Sequence, residues 1–455
     1  MPLGNATLGG IMSKRHAIAC TGTAALMMPA LLLGGASTAS AGGFGLREQS
    51  AYYQGTSFAG NAAGGAGLAS MYWNPAAMGF APGLSVEGNV TYIAPHASID
   101  VIGARSALGT NLGNVGVGDI VDNGTLPTSY ISYAWDRWAV GLAVTSPYGL
   151  ITDAPCNWSG RYYGCYSRIF DMNATTSVAY RVNDWLTLGG GVVINYIDAK
   201  LNQAQILTGA PSYLQGSAEV NGDDFGVGFT LGALFTLRPG TTLGIGYRSA
   251  VDQNLSGSVT SSLPIGTIAG QAPATAGLNL PDQITASLRS QLDPRWTVLG
   301  TVEWTNWSNL QQLVIQPNSA VPSAPSILSL HWQDGWFFSG GLEYQWDPKL
   351  TLRAGLAYEI SPVTDEYRTP RLPDSNRLWL SGGLTYAWTD NLSIDLAYTH
   401  IFGDSGPINL SPLDTANLTR GVLVAEVNNA YVDIVSVGVR YRFDSVPVKT
   451  ALITK

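Results

Sequence analysis

The chain has 455 residues, of which only 12% are charged, and it is rich in glycine (54) and in aromatic residues (13 Trp, 21 Tyr, 11 Phe) while holding four histidines. Yet beyond the N-terminal region no stretch stays apolar for the roughly 18 or more residues that a membrane-spanning helix requires, which argues against a helical membrane protein, and the class leans to all-β. The net charge of −8 is acidic and dispersed, which argues against a nucleic-acid partner.

The first predicted element is a secretory leader over residues 1–41, with Met12 as an alternative start. Lys14, Arg15 and His16 precede an apolar run from Ala24 to Leu33, and Ala39-Ser40-Ala41 offers cleavage before Gly42. A first transmembrane helix is the lesser reading, because the run is short and ends in small residues. Cys20 precedes the apolar run, which speaks against lipoprotein acylation. Removing this leader takes away two basic and no acidic residues, moving the net charge from −8 to −10. It also leaves Cys156 and Cys165, nine apart in one polar stretch of an exported chain. That spacing favours a disulfide stapling a loop over a metal pair, since no His or further Cys lies near them.

Residues 42–82 are rich in Gly and Ala and show no strand alternation. They nonetheless carry Phe44, Leu46, Tyr52, Tyr53, Phe58, Met71, Tyr72 and Trp73, too many large apolar groups to leave in water. Asn74-Pro75-Ala76 closes the segment with residues suited to an Asx-turn or cap and a fixed φ.

From residue 83 to 443 the chain alternates with period two. Leu186, Leu188, Val192, Ile194 and Tyr196 interleave with Thr187, Gly189, Val193 and Asn195. Leu392, Ile394, Leu396 and Tyr398 interleave with Ser393, Asp395, Ala397 and Thr399. Val435, Val437, Val439, Tyr441 and Phe443 interleave with Ser436, Gly438, Arg440 and Arg442. Alternation alone cannot separate a soluble sandwich from a membrane barrel, but the sorting of connections does. Six short polar junctions occur at Asp136-Arg137, Asn183-Asp184, Arg238-Pro239-Gly240, Asp293-Pro294, Asp347-Pro348 and Asp390-Asn391. Between them lie long connections at about 98–127, 150–168, 202–221, 256–279, 314–330, 361–374 and 403–427. Seven long loops alternating with six short turns make a fourteen-stranded antiparallel outer-membrane β-barrel with both termini on the short-turn side. Within a barrel of that size, residues 42–82 are expected to fold into the lumen as a plug, the alternative being a periplasmic linker. The last strand ends on Phe443 in the aromatic pattern by which the outer-membrane assembly machinery selects its clients. Residues 444–455 read as a disordered periplasmic tail.

The third strand runs from Arg137 into Pro147 and Gly149. Proline cannot donate to a ladder and glycine marks a bend, so either the wall is interrupted there or the strand merely ends. His96, His331 and His400 are far apart and read as lone interfacial residues. No Gly-x-Ser-x-Gly or His-Glu-x-x-His occurs, and no catalytic set, metal site or cofactor site is expected.

An ordered series of motifs then resembles one family. It comprises Gly43-Phe44-Gly45-Leu46, Asn74-Pro75-Ala76, Trp138 to Leu150, Trp158-Ser159-Gly160-Arg161-Tyr162 and Val178-Ala179-Tyr180-Arg181-Val182-Asn183-Asp184. Gly246-Tyr247-Arg248-Ser249, Leu280-Pro281-Asp282, Trp304-Thr305-Asn306-Trp307-Ser308, Ser361-Pro362-Val363, Arg368-Thr369-Pro370-Arg371 and Pro373-Asp374-Ser375-Asn376-Arg377-Leu378-Trp379 continue it. Together these resemble the FadL/TodX outer-membrane transport proteins. The resemblance implies a fourteen-stranded barrel with an N-terminal hatch that passively takes up long-chain fatty acids or neutral hydrophobics such as aromatic hydrocarbons. It implies ligand capture between extracellular loops, a lumen pocket, and sideways exit through a gap in the wall, with no cofactor. In that scheme Asn74, Pro75 and Ala76 are the hatch motif, and Pro147 and Gly149 the lateral gate. Arg161, Arg181, Arg248, Arg368, Arg371 and Arg377 are possible carboxylate clamps. Most of these are instead expected to pair with acids such as Asp282, Glu343 and Asp374. Gln203 and Gln333 fall where fatty-acid members carry basic residues, which leans the cargo toward something neutral. The expected partners are hydrophobic small molecules, outer-membrane lipid and lipopolysaccharide, and the expected state is a monomer. A general diffusion porin and an adhesive or structural barrel are the competing functions.

Overall fold

The computed structural model describes residues 42–79, 82–206, 215–262, 268–318 and 326–443. The expected leader (1–41, with the alternative start at Met12) and tail (444–455) lie outside them, as do residues 80 and 81 near the boundary at 82.

Fourteen antiparallel strands close into a barrel. They are β1 (Gly83–Arg105), β2 (Gly124–Trp135), β3 (Trp138–Thr145, continued by Gly149–Asp153), β4 (Tyr166–Arg181) and β5 (Leu186–Ile206). Next come β6 (Gln215–Arg238), β7 (Thr241–Arg248 and Val251–Ser262), β8 (Ile268–Leu280 and Gln283–Gln291) and β9 (Trp296–Thr305 and Gln312–Pro317). The series ends with β10 (Ser326–Ser329 and Gly335–Gln345), β11 (Leu350–Ile360), β12 (Arg377–Ala387), β13 (Leu392–Gly403 and Gly406–Leu410) and β14 (Val422–Arg442). Closure is made by β1 against β14, from Ser85↔Arg442 to Arg105↔Val422. It leaves no sheet edge and pairs the backbone polar groups that lipid cannot satisfy.

The faces sort as this geometry demands. On β14, Val435, Val437, Val439 and Tyr441 are exposed on the outer face while Ser436 between them is buried in the lumen. Four of the six short turns share one local cause: a polar side chain folds back on the backbone two and three residues on, as Thr389 does to Asn391 and Leu392 (3.2 and 3.0 Å). Asp293 accepts from the N–H groups of Arg295 and Trp296 (2.7 and 2.8 Å), and Asp347 from those of Lys349 and Leu350 (2.7 and 2.9 Å). Asn183 does the same for Trp185 and Leu186 (3.0 and 2.9 Å). Beside these turns Trp135, Trp138, Trp185, Trp296, Trp346 and Trp388 are exposed on the outer wall, forming an aromatic girdle at the short-turn end.

The strands reach further on the opposite side than alternation suggests. The β5–β6 ladder is unbroken to Ile206↔Gln215, and β7 pairs with β8 out to Ser262↔Ile268, within stretches that read as loops. Beyond the bilayer the outer face has no lipid to match, so its residues turn polar (Asp198, Lys200, Glu219, Asp223). The ladder continues there without an apolar period.

Residues 42–79 are almost wholly buried and bond to lumen-facing groups all round the wall. Gln54 donates to the Ile434 carbonyl of β14 (3.2 Å) and Ser57 bonds Ser381 of β12 (2.7 Å). The N–H groups of Gly60 and Ala62 donate to Thr301 of β9 (2.9 Å) and Ser287 of β8 (3.1 Å). Several charged groups around the segment are paired: Arg47 bridges Glu303 and Glu359, and Arg353 bridges Glu343 (3.2 Å) and Asp395 (3.7 Å) while its guanidinium lies 3.8 Å over the Tyr52 ring.

Candidate functional site

At the long-loop end of the lumen the inward faces of β4, β5, β7 and β9 turn apolar and leave a cavity of about 560 Å³, within the range of small-molecule sites. Phe44, Leu150, Ile169, Leu255, Leu310 and Trp332 line its body. Phe44 is set edge-on against Trp307 (4.8 Å between centroids) and also meets Trp332 (5.7 Å) and Tyr148 (5.8 Å). The rim carries two buried arginines from different loops, Arg371 and Arg420. Arg371 donates to the carbonyls of Tyr166 (3.0 Å) and Asn202 (3.2 Å), to the Ser167 hydroxyl (3.0 Å) and to Gln203 Oε1 (2.9 Å); its Nε has no partner. Arg420 donates to the Ala416 carbonyl (3.1 Å), Asn417 (3.3 Å) and Ser326 (3.3 Å). Neither has a carboxylate within 4.0 Å among the described residues. Burial pushes both guanidiniums below their ordinary value, and for Arg371 the neighbouring Arg420 adds to this. Asp414 lines the same cavity and lies within electrostatic range of Arg420, so the rim sets two buried guanidiniums near one acid.

Below the cavity the wall is interrupted. On one side of β3 the register against β4 steps from Thr145↔Asn173 to Gly149↔Phe170, so Ser146, Pro147 and Tyr148 face two residues. On the other side the pairing with β2 ends at Ser129↔Val144, and Gly124 to Thr128 are held only by β1. A slit therefore separates β2 from β3 at Pro147.

Residues 44–49 lie against the slit from inside. Leu46 N–H donates to the Pro147 carbonyl (2.7 Å) and Gly149 N–H to the Phe44 carbonyl (2.8 Å), flanking a Gly45↔Tyr148 bridge. Gln49 spans the opening. Its side chain exchanges hydrogen bonds with the Ser146 backbone, donating at 2.9 Å and accepting at 3.3 Å, while its carbonyl accepts from the hydroxyls of Thr128 (3.0 Å) and Tyr130 (2.8 Å) on β2.

Asn74 is buried elsewhere on the wall, against β5, β6 and β7. It donates to the carbonyls of Ala62 (2.8 Å) and Ala233 (3.0 Å) and caps the short 3₁₀ turn Pro75–Ala77 by accepting from Ala76 N–H (3.0 Å). Its approach depends on wall glycines: a Cβ on Gly232 would stand 1.9 Å from Asn74 Oδ1, one on Gly189 2.5 Å from the Ala76 nitrogen, and one on Gly246 1.8 Å from the Trp73 carbonyl oxygen. Gly149, Phe44 and Gln49 thus meet at the slit, while Asn74, Pro75 and Ala76 anchor the other end of the same segment.

The remaining sites scatter. Gln203 reaches the cavity through Arg371, whereas Gln333 is exposed and absent from the lining. Arg161 bonds Gln215 (2.8 Å) and the Trp158 carbonyl (2.8 Å), and Arg181 lies at the short turn at the opposite end of the barrel. Arg368 pairs with Asp365 (2.7 Å), Arg377 with Asp374, and Asp282 accepts from Asn306 (2.8 Å). Cys156 and Cys165 are joined in the loop after β3, their Cα atoms 5.2 Å apart. Sequence reasoning missed Arg420 and Gln49. Neither carries a local signal, because each acts on residues far away in the chain.

The family model described as "Outer membrane protein transport protein (OMPP1/FadL/TodX)" matches residues 32–443. A "Long-chain fatty acid transport protein" of Escherichia coli O6:H1 is 28% identical over 79% of this chain and 87% of its own length. "Outer membrane protein P1" of Haemophilus influenzae is 25% identical over 92% of this chain and 98% of its own. Among solved structures, a Pseudomonas aeruginosa FadL homologue superposes with a TM-score of 0.79 at 23% identity, covering 88% of this chain and 100% of that one. The Ralstonia pickettii toluene transporter TbuX gives 0.61 at 21%, covering 89% and 99%. These two carry the fold alone.

Proposed function

This chain belongs to the OMPP1/FadL/TodX family of outer membrane transport proteins, and from that premise we propose that it takes up long-chain fatty acids passively through a hatch-plugged barrel. It is a transport protein of the outer membrane, and its family is made up of transporters of hydrophobic compounds, not enzymes. The observation that carries the finer reading is the apolar cavity rimmed by Arg371 and Arg420. An apolar wall takes the alkyl chain at about 0.8 kcal/mol per methylene. The two rim guanidiniums, neither in a salt bridge among the described residues, take the carboxylate, each charged hydrogen bond adding roughly 1.5–3 kcal/mol. That balance favours an amphiphilic anion over the neutral cargo suggested by Gln203 and Gln333, since Gln203 serves here as an acceptor for Arg371.

In this reading residues 42–79 are the hatch, held at one end by Asn74, Pro75 and Ala76. Phe44 forms part of the cavity floor and touches Tyr148, so cargo that displaces Phe44 draws residues 44–49 away from the slit. The alkyl chain then passes between β2 and β3 into lipid, where its apolar surface is most stable. A segment buried across the lumen disfavours a general diffusion porin, which needs an open polar channel.

The test is equilibrium binding of palmitate and of hexadecanol, the same chain without the charge, to the purified barrel in detergent. Arg371→Gln with Arg420→Gln is expected to weaken palmitate by about 10–100-fold, from the loss of about 1.4–3 kcal/mol, and hexadecanol far less. Equal weakening of both probes refutes an anion-recognising rim.

A further inference from the structure

The two rim arginines come from separate loops and carry like charges, so their closeness depends on what holds each loop. The disulfide loop after β3 meets both, through three consecutive residues. Tyr163 lines the cavity and donates its hydroxyl to the carbonyl of Gly421, the residue after Arg420 (2.6 Å). Gly164 lies flat against Arg371: a Cβ there would stand 3.0 Å from its Cγ and 3.5 Å from its Cζ. Cys165 donates its N–H to the Asn202 carbonyl (2.9 Å), the same oxygen that takes Arg371 Nη2 (3.2 Å). The next two residues offer the Tyr166 carbonyl and the Ser167 hydroxyl to Arg371 Nη1, each at 3.0 Å.

This run is itself pinned at its far side. Cys165 is bonded to Cys156, and its carbonyl accepts from the N–H of Ala154 (2.7 Å), the residue that follows the end of β3. Between the sulfurs, Trp158 is fully buried and its Nε1 donates to the Gly164 carbonyl (2.9 Å). The sulfurs thus close a short loop around one indole, and the β4–β5 ladder begins only at Tyr166↔Asn202. Residues 163–165 lie outside the strands, so this closure is a main constraint on where they sit.

We propose that the Cys156–Cys165 loop is a positioning strap for the rim: through Tyr163, Gly164 and Cys165 it holds the Arg371 and Arg420 guanidiniums in one arrangement, and so sets the preference for a carboxylate head over a neutral one. The inference rests on the fatty-acid reading above and concerns what tunes that site. A guanidinium recognises a carboxylate by the direction of its N–H groups as well as by its charge. An arginine that is loosened therefore keeps its charge and loses its selectivity. The apolar body of the cavity is built on the barrel wall and Phe44, away from the strap. Parting the sulfurs weakens recognition of the head and spares that of the alkyl chain. A loop that merely stiffened the outer mouth would affect both alike.

The experiment uses the full-length protein in detergent, with palmitate and hexadecanol as the two probes of equilibrium binding. Cys156→Ser with Cys165→Ser is expected to weaken palmitate about tenfold, the lower end of what losing both arginines costs, and hexadecanol by less than about twofold. Gly164→Ala, which leaves the disulfide intact, is expected to act in the same direction, because its Cβ crowds Arg371. Placed on Arg371→Gln with Arg420→Gln, the cysteine substitutions should weaken palmitate no further, since the strap acts through the arginines. Equal weakening of the two probes, or a palmitate loss that persists on the arginine-substituted background, overturns the strap. Cys156 is exposed, so if the serine variant fails to assemble, reduction of the assembled protein with a phosphine takes its place. Reoxidation is then expected to restore the affinity, and a palmitate affinity unchanged by reduction overturns the proposal. The fatty-acid reading is tested separately by the arginine pair alone. If those substitutions weaken both probes equally, that reading fails and the strap falls with it; discrimination by the arginines with none by the cysteines refutes the strap alone.

Discussion

The amide of Gln49 is bonded to the β3 lip of the slit, through Ser146, while its own carbonyl is bonded to the β2 lip. Gln49→Ala removes the first set of bonds and keeps the second, because Thr128 and Tyr130 hold the backbone carbonyl. The Ser146 N–H and carbonyl are then left unpaired at a buried, low-dielectric position. Each such loss costs about 1–3 kcal/mol, and the pairs Leu46–Pro147 and Gly149–Phe44 remain, so a net loss of about 2 kcal/mol for the closed slit is reasonable. At 1.36 kcal/mol per decade this raises the open population about 30-fold. Native-state hydrogen exchange reads the effect directly: the amides of Leu46, Ser146 and Gly149 should exchange about 30-fold faster, while amides in the closing β1–β14 ladder keep their protection. Uptake of palmitate should rise wherever slit opening limits the rate. Unchanged exchange at Ser146 and Gly149 would refute the assignment of Gln49 as the bond across the slit, whatever the uptake did.

Two further perturbations follow from the same geometry. Pro147→Ala with Gly149→Val supplies a ladder donor and a β-branched side chain, so β3 is expected to straighten against β4. The variant should still assemble, judged by heat-modifiable mobility, and lose uptake of labelled palmitate; transport at the unmodified rate counts against lateral exit here. Gly246→Ala places a Cβ 1.8 Å from the Trp73 carbonyl oxygen, an overlap that costs about 1–3 kcal/mol to relieve. Its expected outcome is faster proteolytic cleavage within residues 42–79 in an intact barrel, and full protection would show that the segment does not depend on this contact.

Much of this protein was legible without coordinates because its causes are local or periodic. Four of the six short turns rest on side chains that bond their own backbone within three residues, and the outer face of each strand alternates because lipid demands it. From those two signals came the all-β class, the number of strands and the closed barrel. Where lipid ends the signal ends too. The ladder of β5 and β6 therefore runs on to Ile206↔Gln215 through a stretch whose polarity reads as loop. The lumen was legible only in part, because its pairings join residues that the chain keeps far apart. Gln49 meets Ser146 across 97 positions, and Arg371 meets Gln203 across 168. Six arginines looked alike in sequence. Arg368 and Arg377 find acids beside them, Arg371 joins Arg420 at the cavity with no carboxylate within 4.0 Å among the described residues, and Arg248 packs over Tyr72. Which arginine is left with a charge to offer depends on what the closed barrel sets opposite it, and no spacing along the chain encodes that.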